Sequence, residues 1–216
     1  MVVVVAGGEP PDPRVAGLVP AGAFVVAADS GADFALALGL TSDLVVGDLD
    51  SVSPEGLVAA ERAGATVCAH PAEKDATDLE LALTAAADRR PVGIVVLAGP
   101  GGRADHHLAN VALLAMPALA VCPVTAWLGP ARVTVVRDEA AFTGAPGSLL
   151  SLLPIGGDAT GITTSGLRYP LHDETLPAGT SRGVSNELIG PSGHVALRTG
   201  VLLAVQPHAL DTEAPA

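Results

Sequence analysis

The chain has 216 residues, 49% of them hydrophobic and 16% charged, with a formal net charge of −12. That is enough apolar material for one or two buried cores, and it excludes a disordered chain. The acidic balance argues against a nucleic-acid backbone or an anionic membrane surface as partner, and five aromatic residues are too few for a base-stacking platform.

The runs Val2–Val5, Phe24–Ala27, Leu44–Val46, Thr66–Ala69 and Ile94–Leu97 are short, β-branched and apolar on both faces, as a covered parallel sheet requires. Between them Asp33–Leu38, Pro54–Ala63, Asp78–Arg89 and Asp105–Leu114 read as helices, with Gly39 and Gly64 as stops. The alternation predicts an α/β unit over residues 1–130, a doubly wound, mostly parallel sheet with helices on both faces. Leu108–Leu128 is apolar, but Asn110, Pro117, Pro123 and Thr125 interrupt it, so it reads as a helix and a strand rather than a membrane span. Met1–Ala6 is too short and lacks the basic start of a secretory leader. Cys68 and Cys122 each lie in an apolar run and are expected to be buried thiols in a reducing compartment, which makes the expected location cytoplasmic.

Beyond residue 131 the texture changes. Val133–Arg137, Leu149–Leu153, Gly161–Thr164, Leu167–Tyr169, Val195–Leu197 and Val201–Val205 are short strands separated by Gly, Pro, Asp and Ser, which predicts a small all-β sandwich over 131–216. Arg198–Gly200 reads as a hairpin turn, and Pro207–Ala216 as a frayed tail.

In open α/β sheets, ligands bind beyond the carboxyl ends of the strands. Here four successive strand ends carry acids: Asp29 after the second; Asp48 and Asp50 after the third; Lys74, Asp75, Thr77 and Asp78 after the fourth; Arg103 and Asp105 after the fifth. Crowded carboxylates repel unless a cation neutralises them, and oxygen donors select Mg²⁺ or Ca²⁺. Asp48 and Asp50, separated by one residue, fall on one side of an extended chain, about 6–7 Å apart at the backbone. Mg²⁺ with few carboxylates completes its shell with water and phosphate, so the metal implies a nucleotide substrate. Lys74, the only lysine, and Arg103, which follows Gly99, Gly101 and Gly102, suit phosphate oxygens. For any single acid, helix capping explains the residue as well, as with Asp75, Asp78, Asp29 and Asp33; it does not explain a second acid at Asp50. There is no P-loop signature and no nucleophile elbow, and a triad built from Ser30 with His106 or His107 leaves the acids unexplained.

Taken together, Ala28–Ala32, Gly47–Ser51, Lys74–Asp78, Gly102–His106 with Leu108–Asn110, and then Gly166–Leu171, Asp173–Leu176 and Ser181–Glu187 resemble the thiamine pyrophosphokinase family in the right order over about residues 2–205. Ser30 stands where the family usually has glycine, Leu49 where phenylalanine is common and Ala104 where a larger apolar residue is usual; from Trp127 to Val136 little similarity remains. The resemblance implies an α/β catalytic domain binding ATP and Mg²⁺ (or Mn²⁺), followed by a thiamine-binding β-sandwich. It also implies a homodimer with the thiamine pocket formed across the dimer interface, and diphosphoryl transfer from ATP, as co-substrate, to thiamine. Carried over by position, Asp48, Asp50 and Asp78 are the metal-proximal acids, with Arg103 and Asp105 also catalytic. Asp29, Lys74, Asp75, Thr77 and Arg103 are nucleotide or phosphate contacts, and Ser185 and Asn186 belong to the thiamine pocket. Two alternatives are a sister diphosphokinase acting on another heterocyclic alcohol such as a pterin, and a non-catalytic nucleotide- or thiamine-binding regulator.

Overall fold

A computed structural model describes residues 1–212, Thr212 by its backbone alone. The chain divides into two compact units, Met1–Gly129 and Pro130–Ala216.

In the first unit β1 (Val2–Val5), β2 (Phe24–Ala28), β3 (Leu44–Gly47), β4 (Thr66–Ala69), β5 (Ile94–Ala98) and β6 (Val124–Leu128) lie side by side in the order β4-β3-β2-β1-β5-β6. Every pairing among them is parallel. Val2–Val5 are at most 2% exposed, so alternate side chains need cover on both faces of the sheet. Helix α1 (Gly31–Ala37) packs on β1 and β2 and against α2 (Pro54–Arg62); α3 (Asp78–Asp88) packs across β1, β2 and β3 and against α4 (Ala104–Leu113). The order reverses at β1: the chain runs outward through β2, β3 and β4, then returns to the other side of β1 as β5. All the βα loops therefore open at one edge, with the switch point between β1 and β5.

Glycines set the closest approaches. A Cβ on Gly31, the first residue of α1, would fall on the backbone carbonyl of Val5. Gly31→Ala is therefore expected to force α1 off β1 and cost the fold about 1–3 kcal/mol, read by urea unfolding; an unchanged midpoint would show that the contact yields freely.

Three expectations change here. Thr66, Cys68 and Ala69 of β4 are exposed because β4 is an edge strand, paired only with β3. Cys68 is accordingly exposed and Cys122 half-buried, and both are free thiols. The connection before β6 also contains a 3₁₀ turn, Pro117–Val121, and another, Pro13–Leu18, precedes β2. No helix of the described residues is long and apolar enough to cross a membrane.

In the second unit β7 (Ala131–Val136), β8 (Glu139–Thr143), β9 (Ser151–Pro154), β10 (Ala159–Ser165), β11 (His172–Leu176), β12 (Ser192–Ala196) and β13 (Leu202–Gln206) form two antiparallel layers, β7-β13-β9 and β11-β10-β12-β8. Phe142, Ile162, Leu176 and Val195 from one layer meet Val136, Leu152, Leu202 and Ala204 from the other in a single core, which is a sandwich. β8 and β11 are edge strands rich in polar or small residues, so no alternation announces them. Leu167 makes only an isolated bridge to Leu188, and Leu167–Tyr169 is not a strand. Arg198–Gly200 is not a hairpin turn: it carries the chain from β12 in one layer to β13 in the other. Ala209–Thr212 is a short helix, α5, so the expected frayed tail holds structure there; residues 213–216 lie outside the described residues.

Candidate functional site

The second, third and fourth βα loops carry the acids. Asp29 follows β2 in the left-handed region (φ +48°) and is 8% exposed. Asp48 follows β3. Asp78 opens α3, whose N-cap is Thr77, its Oγ1 accepting the Glu80 N–H at 3.2 Å. One carboxylate oxygen from each of Asp29, Asp48 and Asp78 lies within 4.8 Å of the others. The floor beneath them is Gly47 (φ +153°): a Cβ there would sit 3.1 Å from the Asp29 Cβ and 3.2 Å from Asp78 Oδ1. Glycine keeps the cradle open.

Lys74 is the cation already present. Its Nζ donates to Asp48 Oδ2 at 2.8 Å and lies 3.2 Å from Asp78 Oδ1, with only 14% of the side chain exposed. The hydrogen bond from Lys74 holds Asp48 below the usual carboxylate range, and the Asp48 carboxylate raises Lys74 in return. Burial pushes Asp29 up, against hydrogen bonds from Ser30 and Ser51. One ammonium does not satisfy the whole set: Asp29 Oδ1 is buried without a hydrogen-bond partner. A buried, unpartnered oxygen in an all-oxygen cradle fits a hard divalent cation, which Asp29, Asp48 and Asp78 could hold.

Asp50 is not in this set. Leu49 adopts φ +64°, so the chain is not extended there and the one-residue spacing no longer puts the two carboxylates on one side. Asp50 is exposed and its Oδ1 accepts from the Ser51 hydroxyl at 2.8 Å. Asp75 is exposed. Arg103 ends the fifth loop as the N-cap of α4 and Asp105 lies in the first turn of that helix, both largely exposed and bound to one another, Nη2 to Oδ2 at 2.7 Å; that guanidinium takes Asp105 down to about 2.

Two features escaped the sequence reading. Gly7 and Gly8 follow β1 at the switch point, and the Gly8 N–H donates to Ser30 Oγ at 3.3 Å; a Gly-Gly pair one residue past a Val-rich strand was the available signal. The other is Asp33, read only as a helix-start acid, whose carboxylate binds Ser53 across the fold.

In the second unit a pocket of ≈ 260 Å³ is lined by Leu152, Tyr169, Leu171, Arg182, Val184 and Asn186, among others. Asn186 is 6% exposed. Its Oδ1 accepts from Tyr169 N (3.0 Å) and Glu187 N (2.9 Å), and its Nδ2 donates to Tyr169 O (2.8 Å). The amide therefore builds the pocket wall. These bonds also explain why Leu167–Tyr169 forms no ladder: a side chain occupies the Tyr169 backbone. Ser185, at φ +59°, is exposed, and its N–H donates to Ser151 Oγ.

Fold and site together define a doubly wound α/β protein with an oxygen-lined cation cradle at its strand tips, followed by a β-sandwich with a part-polar pocket. Residues 16–125 match the family model described as thiamin pyrophosphokinase, catalytic domain, and residues 133–202 match that of its vitamin B1 binding domain. The chain belongs to the thiamin pyrophosphokinase family. It is 28% identical over 213 residues to a thiamine pyrophosphokinase of Bacillus subtilis, covering 94% of this chain and 96% of that protein. The crystal structure of the thiamine pyrophosphokinase from Bacillus subtilis superposes with a TM-score of 0.82 at 26% identity, covering 95% of this chain and 97% of that one. That of Geobacillus thermodenitrificans gives 0.77 at 28% identity with the same coverage.

Proposed function

We propose that this chain transfers the β,γ-diphosphoryl group of ATP to the hydroxyl of thiamine, giving thiamine diphosphate and AMP. Membership of the family supports the substrate pair, and the convergence of Asp29, Asp48 and Asp78 around Lys74 is the observation that carries the chemistry. The alcohol oxygen bonds to the β-phosphorus as the bond from that phosphorus to the α,β-bridging oxygen breaks, and AMP leaves with that oxygen. Such a step depends on positioning and charge neutralisation. A divalent cation, Mg²⁺ or Mn²⁺, held by Asp29, Asp48 and Asp78 would offset phosphate charge. Lys74 is a point charge at the same place, and Arg103, exposed and paired with Asp105, would meet phosphate oxygens by exchanging that partner. Asp105, tied to Arg103 and lowered to about 2, is a weak proton acceptor, and Asp78 faces Lys74, so water takes the hydroxyl proton in this reading. The ≈ 260 Å³ pocket beside Asn186 receives thiamine.

The same reading makes the protein a cytoplasmic homodimer. Free Cys68 and Cys122 agree with a reducing compartment, and α4, which buries no side chain and leaves Leu108 69% exposed, offers a second copy an apolar face. The test of function is direct. Purified protein with ATP, thiamine and Mg²⁺ is expected to form AMP and thiamine diphosphate in equal amounts, to stop on chelation and to recover with added Mg²⁺ or Mn²⁺. AMP that forms without thiamine, or equally with a pterin alcohol in its place, would overturn the assignment.

A further inference from the structure

We propose that Asp33 is a positioning residue of the acid cluster, which binds no ligand itself but fixes the loop 47–53 and with it the distance between Asp29 and Asp48. The inference rests on the cation site and reaction proposed above.

Asp33 lies in the first turn of α1, four residues beyond Asp29. Both acceptor bonds of its carboxylate leave its own helix: Oδ2 accepts from the Ser53 N–H at 2.9 Å, and Oδ1 from the Ser53 hydroxyl. Ser53 Oγ in turn accepts from the Gly56 N–H at 2.9 Å and caps α2. This ties the far end of the loop. The near end is tied by the sheet, where the His70 N–H donates to Gly47 O at 2.8 Å. Between the two anchors stand Asp48 and Leu49, the latter at φ +64°. A non-glycine residue in that region persists only where its surroundings over-determine it. One short segment, residues 29–33, thus contributes one carboxylate to the cluster and pins the loop that delivers the next. Gly56 fits the same design, since a Cβ there would fall on Asp33 Oδ1.

The experiment measures binding of Mn²⁺ alone to the full chain by electron paramagnetic resonance, beside kcat and KM. Asp33→Ala and Gly56→Ala, which disturb the tie from opposite sides, are expected to weaken Mn²⁺ binding about 10–100-fold. kcat should fall in step, with the KM for thiamine little changed. Asp33→Asn keeps one acceptor oxygen and is expected to lie between, so it serves if the alanine variants do not fold. Variants that melt earlier yet bind Mn²⁺ and turn over as wild type would reduce Asp33 to a fold contact and overturn the proposal. A wild-type chain that binds Mn²⁺ but makes no thiamine diphosphate sinks the proposed reaction and leaves the Asp33 measurement readable; one that binds no Mn²⁺ overturns both.

Discussion

Asp48→Asn is expected to lower kcat by about 10²–10³-fold while leaving the protein folded. Asp48 is the acid to which Lys74 binds at 2.8 Å, in a cradle it shares with Asp29 and Asp78. The amide is nearly isosteric but neutral, so the site loses a negative charge where the proposed reaction has a cation and a polyphosphate bound. The fold survives because Lys74 keeps Asp78 at 3.2 Å and because Asp29 loses a like-charged neighbour. The sign of the acid dependence follows. Lys74 lowers Asp48 in the folded state, so the pair supports the fold above the ordinary carboxylate value of 3.8 and gives that support up as the pH falls below it. The variant is therefore expected to show a shallower acid limb than wild type. Steady-state kinetics beside thermal melts at pH 7 and about pH 3, below the ordinary carboxylate value, make the check, and normal turnover would remove Asp48 from the site.

Asn186→Ala acts in the other unit and by another route. It strips three hydrogen bonds from a side chain that is 6% exposed, leaving Tyr169 N, Tyr169 O and Glu187 N without their partner. An orphaned backbone group costs about 1–3 kcal/mol when buried. Because Tyr169 is itself 59% exposed and water replaces part of the loss, the expected cost is about 2–3 kcal/mol by urea unfolding. The segment carrying Tyr169 and Pro170 also lines the pocket. The KM for thiamine is accordingly expected to rise more than kcat falls. A full loss of kcat with unchanged stability would make the amide a direct contact with the reacting groups instead.

Much of the α/β unit was legible because parallel strands buried on both faces leave a plain signature. Val2–Val5 matches its strand residue for residue, and Gly39 and Gly64, at φ +72° and +93°, stop their helices as glycines do. The sandwich was harder. β8 and β11 are sheet edges, where solvent removes the need for apolar alternation, and Arg198–Gly200 crosses between layers although local turn chemistry suits a hairpin equally well. The exposure of Cys68 follows from strand order, which no local pattern encodes.

Residue type and periodicity alone settled that acids would gather at the carboxyl edge of a parallel sheet, since each lies just past a Val-rich strand and parallel strands all end on one side. Which acids meet was decided by backbone torsion and long-range contact. Leu49 turns left-handed and sends Asp50 outward, Asp29 turns inward, and Gly47 leaves room between Asp29 and Asp78. Likewise the lysine was visible as a lone cation, but its place between Asp48 and Asp78, 26 residues from one and four from the other, exists only once β3 and the loop after β4 lie side by side. Charge and strand pattern are local quantities and survive in one dimension. Distances of a few ångströms between separate loops are set by torsions and packing, and these appear only in the folded chain.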